Sequence, residues 1–586
     1  MSRWTFPAFA AVMAVLPLLP VPDFWITQSI YIGLYALVAL GLVLLTGVAG
    51  LTSFGQAAFV GIGAYAAAYL ATQSALPPLV TLAVGVALAV LAALFLGAIT
   101  LRMSGHYLPL ATIAWGLALN YTMANMAWLG KYDGILGIPA MHLLGVDLGT
   151  GRGLHPLVWA LALLAALAVL RLLDSRPGRA IRALKHGSTM AEAIGISTFR
   201  YKLTAFVLAA VFAAVSGWLF AHFQRSISPS PFGINKGIEY LFMAVLGGVG
   251  HVWGAFLGSA VVRLVEDQLQ VLLPQLLGTS GSFETIVFGI VLVAVLKVAP
   301  EGLWSFVGRW LPAPARAHDW AGAEPLARRD KPARGERLLE VDAVNKTFGG
   351  LVAVNDISFD LKAGDIVALI GPNGAGKSTT FNLITGVLSL SAGAVRWRGE
   401  SIGGKPSRAI ARLGISRTFQ HVKLVPEMSV LENVALGGYG RTRSGVLRAM
   451  LRLDRAEERR LFAEAATQLA RVGIGEYANE LAGNLPLGSQ RLVEIARALA
   501  TDPALLLLDE PAAGLRHHEK QALAAVLRQL KDEGMSLLLV EHDMDFVMGL
   551  ADRVVVMEFG TRLMQGTPAE VQASPAVRAA YLGTEH

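Results

Sequence analysis

The residues best placed to do chemistry are Gly371, Pro372, Asn373, Gly374, Ala375, Gly376, Lys377, Ser378 and Thr379. They fit G-x-x-x-x-G-K-[S/T], the phosphate-loop pattern. Its glycines let the backbone curl so that successive N–H groups point at phosphate oxygens. A helix that follows adds the partial positive charge of its N-terminus. Lys377 would reach the outer phosphates of ATP, and the Ser378 hydroxyl would hold Mg2+. The alternative is a glycine-rich turn with an incidental lysine.

The flanking elements decide between these readings. The apolar run 365–370 has strand length and precedes the loop, and 379–385 can open a helix. Two more apolar runs, 504–508 and 536–540, end in acidic residues. The first delivers Asp509 and Glu510, the second Glu541, His542 and Asp543. Strands apolar at every position belong in a parallel sheet covered by helices on both faces. From Leu338 to about Gly583 strand-like and helix-like runs alternate, as in an α/β nucleotide-binding domain.

The rest of the chain has a different solvent. Mean hydropathy is +0.54 over 586 residues. Charged residues make up only 16%, against roughly 25% in ordinary soluble chains. Most of the charge lies beyond about residue 300. The net charge of +7 calls for no nucleic acid, because part of it sits beside apolar segments on one side of a membrane. With no cysteine, disulfides and thiolate metal sites are excluded.

Before residue 310 the pattern is that of a polytopic all-α membrane domain. Residues 6–19 follow Arg3 as a signal peptide would, but no small-x-small cleavage site follows, so they read as a first membrane helix. Further spans of suitable length fall at about 28–48, 54–72, 78–100, 105–126, 156–173 and 203–222, then within 237–273 and at 283–300. Arg176, Arg179, Arg182, Lys185 and Arg200 outnumber Asp174 and Glu192, which places the stretch after 173 in the cytoplasm. An ATP-using domain must also be cytoplasmic. An odd number of crossings is therefore required between 237 and 300. A break at Gly247, Gly248 and Gly250 would supply three there, ten in all. Residues 175–198 alternate apolar and basic positions at helical spacing up to Gly195. They read as an amphipathic helix that docks on a soluble partner.

Here a resemblance becomes specific. The strings LTSFGQAAFVGIGAY at 51–65, GRAIRAL at 178–184, AIGI at 193–196, YKLTAF at 201–206 and LGGVGHVWG at 246–254 resemble permease subunits of branched-chain amino acid ABC importers. That resemblance implies that 175–198 is the coupling helix that meets the ATPase. Residues 311–337, rich in Pro, Ala and charge, read as a flexible tether between a permease at 1–310 and an ATPase at 338–586.

The second half resembles an ABC ATPase, motif by motif. That resemblance implies that Phe348 stacks on adenine and that Gln420, in RTFQ, touches Mg2+ or the attacking water. It implies that Asp509 binds Mg2+, that Glu510 is the general base, and that His542 contacts the γ-phosphate. The signature that reaches a partner's ATP departs from the usual L-S-G-G-Q. Leu485, Pro486, Leu487, Gly488 and Ser489 stand there, although EIARAL at 494–499 fits well. Pro486 removes a hydroxyl and an N–H, and Leu487 adds bulk. An asymmetric pair of ATP sites is expected. The strings ADRVVVM at 551–557, GTPAE at 566–570 and AYLG at 580–583 resemble the tail of the ATP-binding subunits of the same importers.

Together these features predict an ATP-driven importer component in the bacterial inner membrane, with lipid around its spans. One permease unit and one ATPase unit are present, so a second of each is expected, together with a periplasmic substrate-binding protein. An exporter, or an ATPase that regulates a channel, are the alternatives. The substrate class is branched-chain amino acids, with urea, amides and aromatic acids open as relatives' cargo. Ser53, Gln56, Asn120 and Tyr121 are candidates for the substrate path, and helix–helix hydrogen bonding would explain them equally.

Overall fold

The computed structural model describes residues 5–103, 107–143, 145–277, 284–310 and 318–582. Contacts divide the chain into two units. One joins Met1–Asp174 to Phe199–Ala315; the other joins Ser175–Thr198 to Arg316–His586.

The first unit is built from the apolar runs. Its helices are Thr5–Val15, Asp23–Leu42, Gln56–Gln73, Pro78–Thr100, Tyr107–Asn125, Gly151–Leu173, Thr198–Gln224, Ile234–Gly247, Val252–Leu277 and Glu284–Val298. Asp23–Leu42 continues as a wider helical turn over Val43–Val48, and it is the most buried of the long helices. Pro77 and Pro78 start one helix, and the Thr150 hydroxyl caps another by accepting from Gly153 N–H at 3.1 Å. Four of the described helices are individually long and apolar enough to cross a membrane.

The glycines at 247–250 break the chain where the sequence suggested. Ile234–Gly247 and Val252–Leu272 meet at 120°, and Gly248 has φ +124°, which an L side chain resists. The two helices then cross in backbone contact. A Cβ on Gly258 would lie 1.8 Å from the Met243 carbonyl oxygen. Leu303 N–H donates to the Leu246 carbonyl at 2.8 Å, so the glycine turn and the exit from the last apolar helix share one end of the unit.

The second unit holds two sheets. In the larger, the strands run in the order Ile415–Arg417, Leu505–Asp509, Ser536–Val540, Ile366–Ile370, Arg553–Glu558, all parallel, with Thr561–Gly566 antiparallel at the edge. Alternate residues enter opposite cores. Leu506, Leu508, Leu537 and Leu539 pack in one, Leu505, Leu507, Leu538 and Val540 in the other. Both faces are covered, which is why these strands carry no polar alternation. A smaller antiparallel sheet takes Leu351–Lys362, Arg337–Phe348, Ala392–Trp397 and Glu400–Ser401 in that order.

Residues 318–336, expected to form a free tether, lie fixed along this unit. The His318 ring stacks on Phe462 at 3.9 Å, Leu326 is buried in a core, and Arg441 donates to the carbonyls of Leu326 and Ala327 at 3.1 and 3.0 Å. Isolated anchors between prolines leave no periodic signal, so composition alone misread them. Residues 311–317 of the expected tether lie outside the described residues.

Candidate functional site

Parallel pairing aligns the strand ends. Asp509 pairs with Val540, and Val540 with Leu369, so the loops after all three strands leave one edge. In an open α/β sheet that edge is where ligands bind.

The phosphate loop leaves the Ile366–Ile370 strand and enters the Lys377–Ile384 helix. Gly376 has φ +92°, and a Cβ there would lie 2.5 Å from the Ala353 carbonyl oxygen. The Lys377 ammonium folds back and donates to the carbonyls of Gly371 and Pro372 at 2.7 and 2.8 Å. Burial pushes its pKa down, and Glu510 and Asp509 pull it part of the way back. A cleft of about 580 Å3 opens over the loop. Phe348, residues 373–379, Gln420 and Glu510 line it, with Phe559 beside them. Gly371 and Pro372 form the loop's base.

Three predicted catalytic residues meet at one carboxylate. Gln420 Nε2 donates to Glu510 Oε2 at 3.0 Å, and His542 Nδ1 lies 3.8 Å from the same oxygen. Glu510 holds φ +46°, unusual for a residue with a side chain, and its N–H donates to the Val540 carbonyl at 2.8 Å. Beside it Asp509 is 6% exposed. Its Oδ2 faces Arg417 at 3.5 Å, and its Oδ1 has no hydrogen-bond partner among the described residues. Burial raises the Asp509 pKa, against the pull of Arg417.

The signature residues sit elsewhere. Pro486 caps the Leu487–Ala500 helix, Leu485 is buried, and Leu487 is 45% exposed. A Cβ on Gly488 would meet Glu519 Oε1 at 2.6 Å. Among the described residues none of the five lines the cleft of this chain's own phosphate loop.

The stretch 175–198 belongs to this second unit. The single amphipathic helix expected is two, Arg176–His186 and Ser188–Ala193, broken at Gly187. Gly187 has φ +142°. Ala180, Ile181, Ala183, Met190 and Ala193 are buried, as the alternation required. Cations fix the segment. Arg179 pairs with Glu458 at 2.7 Å, Arg176 lies 3.8 Å over the Tyr439 ring, and His186 faces Glu427 at 3.0 Å. Phe462 carries Arg179 at 4.8 Å and the His318 ring at 3.9 Å.

Comparison with known proteins matches three family models. They are the permease component of the branched-chain amino acid transport system over residues 25–296, the ABC transporter over 354–513, and the branched-chain amino acid ATP-binding cassette transporter over 562–586. The high-affinity branched-chain amino acid transport ATP-binding protein LivG of Salmonella typhimurium is 44% identical over 249 residues, 42% of this chain and 98% of LivG. BraF of Pseudomonas aeruginosa, with the same description, is 42% identical over the same shares. The chain belongs to the branched-chain amino acid ABC transporters. Among solved structures, a nucleotide-free ATP-binding cassette from an ABC transporter is 31% identical over 42% of this chain and 99% of its own, with a TM-score of 0.38.

As a branched-chain amino acid ABC transporter with fused permease and ATPase domains, the chain hydrolyses ATP to drive transport. Its cleft fits Mg-nucleotide. Ser378 is exposed at a helix N-terminus, and the buried Asp509 Oδ1 is left without a partner. Among the described residues no cluster of three His, Asp or Glu forms a metal site of its own. An oxygen site completed by phosphates is therefore the one that suits Mg2+.

Several working residues escaped the sequence reading of this transporter. Arg417 binds Asn382 and Thr385 of the phosphate-loop helix at 2.9 and 2.8 Å while facing Asp509. Burial lowers its pKa to about 10. Glu541, fully buried, accepts from Ala512 N–H at 2.7 Å and from His542 N–H at 3.0 Å, tying the two acidic loops together. Arg491 donates to the Phe419 carbonyl at 2.7 Å and also to that of Gln420, and Glu494 accepts from Lys423 N–H at 2.9 Å. The only sequence signal for Glu541 was an acid closing an apolar strand; the arginines gave none.

The four path candidates separate. Ser53 and Gln56 are 2% and 1% exposed, and their side-chain polar atoms have no partner among the described residues. Asn120 donates to the Pro229 carbonyl at 2.9 Å, and Tyr121 is 59% exposed.

Proposed function

We propose that the chain is the permease-plus-ATPase component of an importer that carries branched-chain or related amino acids across the bacterial inner membrane. The observation that carries this reading is the segment 175–198. It is continuous in sequence with Gly151–Leu173 and Thr198–Gln224, two helices with the length and apolarity of membrane spans, yet it is packed into the nucleotide-binding unit. Whatever moves the ATPase surface pulls on both helices. A path of contacts reaches that surface from the cleft: Glu510 to Gln420, the Gln420 backbone to Arg491, and Glu494 to Lys423, with Glu427 and Glu432 beyond on the segment. His186 meets Glu427 at 3.0 Å and Arg182 meets Glu432 at 3.8 Å.

In this reading Lys377 and the loop N–H groups hold the outer phosphates of ATP, and Phe348 stacks on the base. Gln420 orients the attacking water, Glu510 takes its proton, and His542 steadies the γ-phosphate. Ser378, Asp509 and Gln420 would hold Mg2+, which neutralises phosphate charge. The signature residues reach ATP on a second ATP-binding subunit, because they stand outside this chain's own cleft. Pro486 and Leu487 weaken that reciprocal site. ATP binding must favour the closed pair of ATPase domains over the open pair for the cycle to do work.

The partners are a second permease, a second ATP-binding subunit and a periplasmic substrate-binding protein. The chain crosses the membrane ten times, with the ATPase in the cytoplasm. Three crossings after residue 233 agree with the shared end of Leu246 and Leu303. Ser53 and Gln56 line the path. The test is uptake of labelled leucine into inside-in vesicles holding the full complex, with and without the binding protein outside. Uptake that needs the binding protein supports import; ATP-dependent loss of preloaded leucine would establish export instead.

A further inference from the structure

The first unit carries charges inside its apolar helices, where charge is expensive. Lys236 and Glu239 lie on Ile234–Gly247, and Arg263, Glu266 and Asp267 on Val252–Leu277. They face Gln28, Tyr31 and Tyr35 of the buried Asp23–Leu42 helix. Arg263 Nε donates to Gln28 Oε1 at 2.8 Å, and Gln28 Nε2 donates to Asp267 Oδ1 at 2.8 Å. Arg263 lies 4.6 Å from the centre of the Tyr31 ring. Lys236 pairs with Glu239 and stands 4.4 Å from the Tyr35 ring and 5.9 Å from that of Tyr240.

Depth can be read along the central helix. Tyr35 stands midway in the 26 residues Asp23–Val48, so the Lys236–Glu239 pair lies near mid-membrane. Gln28 is about 10 Å nearer the end that starts at Asp23, at 1.5 Å of helix rise per residue. The five charges form a file from that end to the middle. The Lys236 and Glu239 side chains keep 16% and 21% exposure, so they remain reachable. Beside Lys236 and Tyr240 is a cavity of about 20 Å3 walled by Leu34, Val60, Phe220 and Phe232. In this conformation it admits one water-sized group.

We propose that Lys236 and Glu239 form a mid-membrane station for zwitterionic α-amino acids, with the Leu34–Val60–Phe220–Phe232 wall taking the apolar side chain. This rests on the amino-acid reading of the cargo. The argument is charge balance. A zwitterion can replace the pair by two new pairs, its carboxylate on Lys236 and its ammonium on Glu239. The faces of Tyr35 and Tyr240 offer the ammonium a further attraction. No charge is then left unpaired in the membrane. A plain amine, or a plain carboxylate, would leave one of the two protein charges bare, which is strongly unfavourable. The station therefore passes amino acids and resists their decarboxylated or deaminated analogues. It takes up the side chain only when the helices part enough to enlarge the cavity.

The test is leucine uptake by the complete complex in proteoliposomes, expressed per assembled complex. Lys236→Met and Glu239→Gln should each lower uptake by about thirtyfold, the usual cost of stripping one member of a buried charge pair. Lys236→Arg, which keeps the charge, should retain uptake. The double variant K236M/E239Q decides the matter. A pair that only joins helices is replaced by two neutral residues at little cost, whereas a ligand station stays defective. Recovery of wild-type uptake in the double variant, or wild-type uptake by K236M alone, overturns the proposal. If the wild-type complex hydrolyses ATP but accumulates no leucine, it is the amino-acid reading that fails.

Discussion

Arg179 and Glu458 form an ion pair at 2.7 Å with side chains only 2% and 7% exposed. One belongs to the segment that interrupts the membrane helices, the other to the nucleotide-binding domain. Burial of both charges makes the pair intolerant of single changes, because the survivor is left bare. Arg179→Met should weaken docking of the segment by about 3–5 kcal/mol. Glu458→Met should do the same, and the double change should recover most of the loss. The check is cross-linking yield between cysteines introduced at 184 and 427 in the assembled complex.

Glu510→Gln should remove hydrolysis and leave ATP binding. The side chain meets Gln420 at 3.0 Å in a formed cleft, so the amide keeps the geometry and loses only the base. A loss of about 10²–10⁴ in turnover is the range for a general base. Phosphate release and ATP affinity, measured on the same sample, separate the two effects.

The signature geometry predicts unequal ATP sites. Glu510→Gln in this chain should cost more turnover than the equivalent change in the partner ATPase, whose site is completed by Pro486 and Leu487. Equal losses would show that the two sites contribute alike.

Lys377 predicts a pH dependence with a definite sign. Burial depresses its pKa in the nucleotide-free state, and the phosphates of a bound nucleotide raise it again. The bound state therefore holds the proton more tightly. ATP affinity is greatest below the depressed free-state pKa and falls as pH rises through it, by at most about tenfold per pH unit. Lys377→Arg, charged throughout, should flatten that slope in titration calorimetry across alkaline pH.

Leu326 predicts that the strap after residue 318 is structural. It is 8% exposed in a domain core, and Leu326→Ala should cost about 2–5 kcal/mol. Limited proteolysis should then cut near residues 320–330, where the wild type resists.

The legible parts of this molecule were those with local cause. The phosphate loop, the strands ending at Asp509 and Glu541, and the glycine break at 247–250 are each written in consecutive residues. The buried face of 175–198 was legible too, from its alternation, though the break at Gly187 was not. Contacts between distant residues were hidden. Arg417, Arg491 and the Lys236–Arg263 file gain meaning only from what the fold places opposite them. The strap was misread because Trp320, Leu326 and Arg329 anchor it singly, and isolated anchors have no period.

The central claim is that this phosphate loop drives the membrane half of its own chain through the segment held by Arg179. It is tested most directly by measuring leucine accumulation and ATP hydrolysis together, in proteoliposomes of the full complex with its binding protein. Wild type should accumulate leucine against its gradient, and Arg179→Met should accumulate far less for each ATP hydrolysed. An unchanged ratio of leucine to ATP in Arg179→Met would contradict the account.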